Sequence, residues 1–434
     1  MTIEDLKQKK VAFISLGCDK NRVDLEKIIF NICNFGMEIV NDEKEANVII
    51  VNTCSFLESS RLESIENILE MSNLKNNKLE KLIVTGCINE LNYPDLEDSL
   101  PEVDAFIHIK DNDKIIDMIA NLYGINVNYH TINDRYLTTP NHYAYLKISE
   151  GCNNFCTYCL IPYIRGRFKS EPMEQLTKHA EELANRGVKE LILVAQDVTK
   201  YGIDLYGKKR LVELIQKLSK IEKIKWIRLL YCYPEEIDDD LILEIKNNDK
   251  VLKYLDIPLQ HVSDKILKAM NRRSSNNKID SLFTKLKSEI PNIVLRTTFI
   301  LGFPGETEDD VQLVEKFLIK YKLENVGFFA YSREEGTKSY NLDNQVDEHI
   351  KLERVERLYQ LQYNILQQKN NSLIGSTQNV IVDKSYDDYS IARYYGQAPQ
   401  IDTEIFIDKK LSEGEFYTVK ITDSIDYDLK GEIL

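Results

Sequence analysis

The chain of 434 residues contains no apolar run near the roughly 20 residues that a membrane-spanning helix needs, which excludes a helical membrane protein. Its first residues, MTIEDLKQKK, lack the apolar core of a signal peptide, so a cytoplasmic location is expected. Basic residues are in deficit: 56 Lys and Arg stand against 70 Asp and Glu, a net charge of −14. Such a surplus argues against broad, nonspecific binding to a nucleic-acid backbone and suits a basic partner. Low-complexity tracts are missing. So is any evident pairing of a nucleophile with a histidine for polar catalysis in the central region. What remains is an ordinary globular balance, 43% hydrophobic and 29% charged, long enough for about three domains. In a reducing compartment the eight cysteines are candidate metal ligands or catalysts rather than disulfides.

The first segment repeats one pattern three times, an apolar, β-branched run ending in cysteine: VAFISLGC (11–18), ANVIIVNTC (46–54) and LEKLIVTGC (79–87). Each reads as a buried strand, with helical stretches around Leu25–Phe35 and Ser59–Met71 between them. Alternating strands and helices build a parallel α/β sheet, and ligands gather beyond the carboxyl ends of its strands. Cys18, Cys54 and Cys87 all fall at that edge and should converge. Residues 125–140 have weak periodicity and read as a linker. Six short apolar runs follow, at 143–148, 190–196, 226–231, 254–258, 294–301 and 325–331, with room for a helix between neighbours. Six such units fit a partial parallel barrel, too few to close like an eight-stranded one. A charged helical stretch from Asp347 to about Leu373 leads into a tail from Ser376 that alternates apolar and polar residues, a small antiparallel β-barrel. The expected division is 9–125, 138–372 and 376–434.

The strongest chemical signal is GCNNFCTYC, in which Cys152, Cys156 and Cys159 are spaced C-x3-C-x2-C after the first strand of the central barrel. Three thiolates in one tight loop can hold three irons of a [4Fe-4S] cluster and leave the fourth iron open. A structural zinc needs a fourth ligand, and His142 sits at the opposite end of strand 143–148, roughly 20 Å away at about 3.3 Å per residue. This spacing on a six-unit barrel resembles the radical S-adenosylmethionine (SAM) superfamily. The resemblance implies that the open iron binds SAM and cleaves it reductively to a 5′-deoxyadenosyl radical. With three spaced cysteines before it and a small β-barrel behind it, the chain is similar to the methylthiotransferases of that superfamily. In these enzymes the first three cysteines, here Cys18, Cys54 and Cys87, hold a second [4Fe-4S] cluster that carries or donates sulfur. The C-terminal barrel, called TRAM, recognises the macromolecular substrate. By the same resemblance Gln196, Arg296 and Thr298 are candidate SAM contacts, although Gly302, Gly305 and Thr307 read equally well as a turn and a helix cap. Cys33 lies on the helical face of Ile28, Ile29 and Ile32 and is expected in the core. Cys232 is expected to be structural. His261 reads either as pocket lining or as a buried scaffold residue.

Within the family, ISLGCDKNRVDLE, LKISEGCNNFCTYCLIPYIRGRFKSEP and LDIPLQHVSDKILKAMNRRS resemble the branch that modifies an aspartate of the twelfth small-subunit ribosomal protein. The tRNA-modifying branch usually reads Gln-Ser-Gly-Ser where this chain has Gln260, His261, Val262 and Ser263. From Ser376 onward twelve acidic residues face six basic ones, which suits a basic ribosomal protein better than phosphates. Asp387, Asp388, Asp402 and Glu404 are expected on that acidic surface, and open edge strands there could bind the target by strand addition. The resemblance implies two SAM molecules per turnover, one giving methyl to sulfur and one giving the radical, and an electron donor such as flavodoxin or ferredoxin. The rivals are a tRNA adenosine methylthiotransferase and a noncatalytic iron-sulfur redox protein.

Overall fold

A computed structural model describes residues 1–91 and 96–434, and the chain divides into two compact units. The first contains Met1–Thr138 together with Leu160–Arg167. Its sheet is wholly parallel, with strands β1 (Lys10–Ser15), β2 (Glu38–Ile39), β3 (Val48–Thr53), β4 (Lys81–Gly86) and β5 (Ala105–Ile107) in the order β2-β1-β3-β4-β5. Every residue of β3 is buried, as expected of a central strand covered on both faces. Alternate side chains go to opposite faces: Ile50 and Ile83 pack with Ile28, Ile32 and Ile119, whereas Ile49 and Leu82 pack with Ile68 and Met71. The short edge strands β2 and β5 carry too few residues to show a period in the sequence. Residues 125–140 form no helix or strand, yet they are tied down rather than loose. Arg135 Nη1 donates to Glu26 at 3.1 Å, the Thr138 N–H to the same carboxylate at 2.8 Å, and Asn31 exchanges two hydrogen bonds with the Ile132 backbone.

The second unit holds the remainder, Thr139–Cys159 and Phe168–Leu434. Six parallel strands, β6 (Tyr143–Lys147), β9 (Glu190–Val194), β10 (Trp226–Leu229), β11 (Val251–Asp256), β12 (Val294–Leu301) and β13 (Asn325–Ala330), form one open sheet in the order β13-β12-β11-β10-β9-β6. A short antiparallel pair, β7 (Ser149–Glu150) and β8 (Lys169–Ser170), stands beside the cysteine loop. On β12 the side chains of Thr297, Phe299 and Leu301 are buried, and Phe299 meets Phe317 of helix Glu308–Tyr321. Arg296, Thr298 and Ile300 are only partly buried and occupy the opposite, inner face. The helix Glu348–Leu373 then crosses to the last five strands, β14 (Thr377–Ser385), β15 (Ser390–Tyr394), β16 (Ile405–Ile407), β17 (Phe416–Ile425) and β18 (Asp428–Ile433). They close into a barrel because β16 pairs in parallel with β18. Closure removes the open edges expected for strand addition to a target.

This small barrel is joined to the amino-terminal ends of the central strands by buried charge. Glu190, the first residue of β9, is fully buried between Arg228 Nε at 2.7 Å and Arg393 Nη2 at 3.0 Å. Arg393 also pairs with Asp383, which His142 Nε2 approaches to 2.7 Å. Burial alone would raise the pKa values of Glu190 and Asp383, but the neighbouring guanidinium groups outweigh it and hold both below the usual carboxylate values. Alongside, Asp402 accepts from Arg296 Nη1 at 2.6 Å and from the Tyr254 hydroxyl at 2.7 Å. Asp402 is therefore not a surface charge, its side chain being 1% exposed. Glu404 is half-buried beside Asp428, which leaves Asp387 and Asp388 as the exposed members of the expected acidic set.

Removing one partner of a buried ion pair leaves an uncompensated charge, so Glu190→Gln should cost about 3–5 kcal/mol of stability in denaturant unfolding. Asp387→Asn, at a side chain 93% exposed, should change stability by no more than about 0.5 kcal/mol. Carboxylates with depressed folded-state pKa values contribute stability that is complete above the ordinary value of about 4 and is lost as pH falls through the lower folded values. Glu190→Gln should accordingly flatten the acid limb of the stability profile.

Candidate metal centres

In the central unit, Cys152 and Cys156 are each 6% exposed and Cys159 is partly buried, all in the loop that follows β7. The loop is held by backbone and amide contacts. Thr157 donates from its N–H to the Met270 carbonyl at 3.0 Å and from its hydroxyl to the Ala269 carbonyl at 2.8 Å. Asn271 Nδ2 donates to the carbonyls of Phe155 at 2.9 Å and Asn154 at 3.2 Å, and the Asn154 N–H points at Cys152 Sγ at 3.4 Å. Burial pushes the Cys152 thiol up, with Asp197 and Cys156 adding repulsion. Arg272 is the countercharge here: it is 6% exposed, its guanidinium stacks 4.2 Å from the Tyr233 ring, and its Nε and Nη1 have no partner in the chain. A buried cation with unused donors, close enough to Cys156 for their charges to interact, fits an anionic cluster.

In the first unit, Cys18 caps the helix after β1, Cys54 follows β3 and Cys87 follows β4, three adjacent parallel strands. The strand ends approach closely. A Cβ on Gly17, whose φ is +91°, would lie 3.2 Å from Cys54 Sγ, and one on Gly86, φ +97°, would lie 2.5 Å from the Thr53 carbonyl oxygen. Only glycine permits that approach at these backbone angles. Asn21 Nδ2 bridges the carbonyls of Leu16 and Thr53 at 2.7 and 3.0 Å, and Thr53 Oγ1 donates to the Thr85 carbonyl at 2.7 Å. Burial pushes the Cys87 thiol up to about 11; Arg165, whose Nη2 lies 3.4 Å from Cys87 Sγ, opposes this, while Cys18 and Cys54 add repulsion. The three thiols therefore share one electrostatic neighbourhood. Among the described residues no three Cys, His, Asp or Glu side chains close around a point as ligands of a single ion do. A four-iron cluster is larger than one ion and spaces its thiolates further apart, so both sets retain the chemistry that cluster ligation requires.

The candidate SAM contacts differ in their surroundings. Gln196 Nε2 donates to Glu150 Oε1 at 2.8 Å, while its own Oε1 is buried without a partner. Thr298 lies on the inner face of β12 opposite Gly327. Arg296, near the amino-terminal end of that strand, is bound by Asp402, so a role at SAM would require that pair to open. Cys33 is exposed, contrary to its expected place in the core: Ile32 and Phe35 of the same turn face the core, and Cys33 stands on the flank of that stripe. Cys232 is fully buried, and burial raises its thiol well above the ordinary value. His261 is fully buried as well, its Nδ1 accepting from the Ser263 N–H at 2.9 Å and its Nε2 facing Glu306 at 3.4 Å, which fits the scaffold reading. Sequence reasoning missed Arg165 and Arg272, because each lies in a short basic stretch, IRGR (164–167) or NRR (271–273), with no period and no spacing that ties it to a cysteine.

Comparisons with known proteins agree with this geometry. Residues 146–318 match the radical SAM superfamily, residues 10–108 match a family described as uncharacterized protein family UPF0004, and residues 374–434 match the TRAM domain. The solved radical SAM methyltransferase TsrM from Kitasatospora setae superposes with a TM-score of 0.56 at 11% identity, covering 74% of this chain and 73% of its own. The cobalamin-dependent radical SAM enzyme OxsB superposes with a TM-score of 0.53 at 12% identity, covering 83% and 58%. At such identities these likenesses concern the fold alone. The class is thus a radical SAM enzyme, which carries a [4Fe-4S] cluster and SAM. The ribosomal protein uS12 methylthiotransferase RimO of Thermoanaerobacter sp. strain X514 is 46% identical over 438 residues, covering 98% of this chain and all of that protein. The RimO of Acetivibrio thermocellus is 48% identical over 448 residues, covering 98% and 99%. The chain belongs to the ribosomal protein uS12 methylthiotransferase family. Among the described residues no helix is long and apolar enough to cross a membrane.

Replacing Cys152, Cys156 or Cys159 with alanine should remove one cluster's worth of iron and all 5′-deoxyadenosine formation. Replacing Cys18, Cys54 or Cys87 should remove a comparable amount of iron while SAM cleavage persists. Cys33→Ala should keep the full iron content. Iron analysis and chromatographic assay of 5′-deoxyadenosine distinguish the three classes.

Proposed function

We propose that the chain inserts a methylthio group at the β-carbon of an aspartate in ribosomal protein uS12, in the cytoplasm, with two SAM molecules consumed per turnover. The observation that carries this reading is the pairing of two cysteine sets, one on the loop after β7 and one beyond β1, β3 and β4, in a chain that matches uS12 methylthiotransferases along its length. When bound, a [4Fe-4S] cluster at Cys152, Cys156 and Cys159 supplies the electron that cleaves SAM to a hydrogen-abstracting radical, and a second at Cys18, Cys54 and Cys87 carries or donates the sulfur. The protein's own part is to hold, orient and shield. Asn271 and Thr157 fix the cysteine loop, and the Arg272 guanidinium offsets the charge of the thiolates. Gln196, anchored by Glu150, offers its unpaired carbonyl oxygen to SAM, and Thr298 lines the same inner side of the sheet. Asp387, Asp388, Asp423 and Asp426 are exposed on the small barrel, and their charge favours approach of a basic ribosomal protein. A low-potential donor such as flavodoxin or ferredoxin supplies the electrons.

Mass spectrometry of small-subunit ribosomal proteins from cells with and without this chain tests the reading. The expected result is a methylthio mass increment on one aspartate of uS12 only where the chain is present. A methylthio adenosine in tRNA, with uS12 unchanged, would replace it with the tRNA reading.

A further inference from the structure

Residues Leu160–Arg167 follow directly on Cys159 in sequence but pack within the first unit. Leu160 and Ile164 form an apolar cluster with Cys87 and, partly buried, Leu91 and Ile109. The short helix Ile161–Ile164 ends at Arg165, whose side chain is 2% exposed. Its guanidinium makes a fork. Nη1 donates to Asp24 Oδ2 at 2.5 Å, and Nη2 donates to Asn21 Oδ1 at 2.9 Å and to Cys87 Sγ at 3.4 Å. Asp24 and Asn21 belong to the helix that Cys18 caps, and Asn21 also bridges the ends of β1 and β3. One buried cation is thereby bonded to one thiol of the set and to the helix that carries another.

From this arrangement we infer that Arg165 is a positioning residue that sets the electron affinity of the group held by Cys18, Cys54 and Cys87, with Asp24 as the counterweight that limits its effect. The inference rests on the proposal that these cysteines hold a cluster. A hydrogen bond and a positive charge at a ligating sulfur withdraw electron density and stabilise the reduced form, so they raise a cluster's reduction potential. The carboxylate of Asp24, bound at Nη1 while Cys87 lies at Nη2, opposes that field. The two residues therefore act with opposite signs on the same sulfur, although each helps to hold the same local structure.

The opposite signs make the test. In the full chain carrying Cys152→Ala, Cys156→Ala and Cys159→Ala, only the cluster of the first unit remains, and its midpoint potential is read by redox titration with electron paramagnetic resonance. Arg165→Met should lower the potential by the equivalent of a tenfold or greater loss in the reduction equilibrium, about 59 mV for one electron. Asp24→Asn should raise it, and Arg165→Lys should recover part of the loss. If Arg165→Met fails to load iron, Asp24→Asn alone decides by the direction of its shift. Potentials unmoved in variants that keep their iron, or shifts of the same sign in Arg165→Met and Asp24→Asn, would overturn the inference and leave the two-cluster reading intact. A parent chain that binds no cluster would instead overturn the two-cluster reading, and this inference with it.

Discussion

Cys18, Cys54 and Cys87 stand just beyond the carboxyl ends of three adjacent parallel strands, and the common direction of those strands is the constraint on which the first cysteine set depends. Hydrogen bonding in register brings Ser15, Asn52 and Thr85 side by side, so the residues that follow must emerge together at one edge. The pairing runs unbroken along all six residues of β3, from Val48 opposite Lys81 to Thr53 opposite Gly86. Gly17 and Gly86 then let the emerging chains approach one another. The chemistry of three thiols far apart in sequence is a consequence of strand packing rather than of any local motif.

The long elements were legible because their signals are periodic. The central runs at 143–148, 190–196, 226–231, 254–258, 294–301 and 325–331 all became strands of one open sheet, and the spacing of Cys152, Cys156 and Cys159 reported a local loop that needs no tertiary knowledge. What escaped was what depends on distant partners. Asp402 reads as one more acid in an acidic tail, yet Arg296 and Tyr254 bury it, more than a hundred residues away along the chain. Arg165 carries no signal of its own in the sequence, and only folding shows that it meets Cys87. Cys33 lies next to the apolar face of its helix, but one residue is a turn of about 100°, so Ile32 and Phe35 meet the core while Cys33 turns to solvent.

The buried joint changes how the acidic domain should be understood. With Glu190, Arg228, Arg393 and Asp383 paired, the small barrel is fixed to the amino-terminal ends of the central strands, away from the carboxyl edge where the cysteine loop lies. Buried ion pairs of this kind are costly to desolvate and are a poor source of net stability, but they tolerate few alternative geometries. Joined in this way, the small barrel is held to the central strands by side-chain pairs as well as by the helix Glu348–Leu373. On the proposed function its exposed charge steers a basic substrate, an effect that added salt should weaken, with a Debye length of about 8 Å at 0.15 M.

The central claim is that this chain removes a hydrogen from the β-carbon of a uS12 aspartate with a radical made from SAM. The most direct measurement uses uS12 labelled with deuterium at aspartate β-carbons, the reconstituted chain, SAM and a chemical reductant, with mass analysis of the 5′-deoxyadenosine formed. The account predicts deuterium in 5′-deoxyadenosine, in proportion to the methylthio group gained by uS12. Formation of 5′-deoxyadenosine without deuterium, while uS12 acquires the methylthio group, would contradict it.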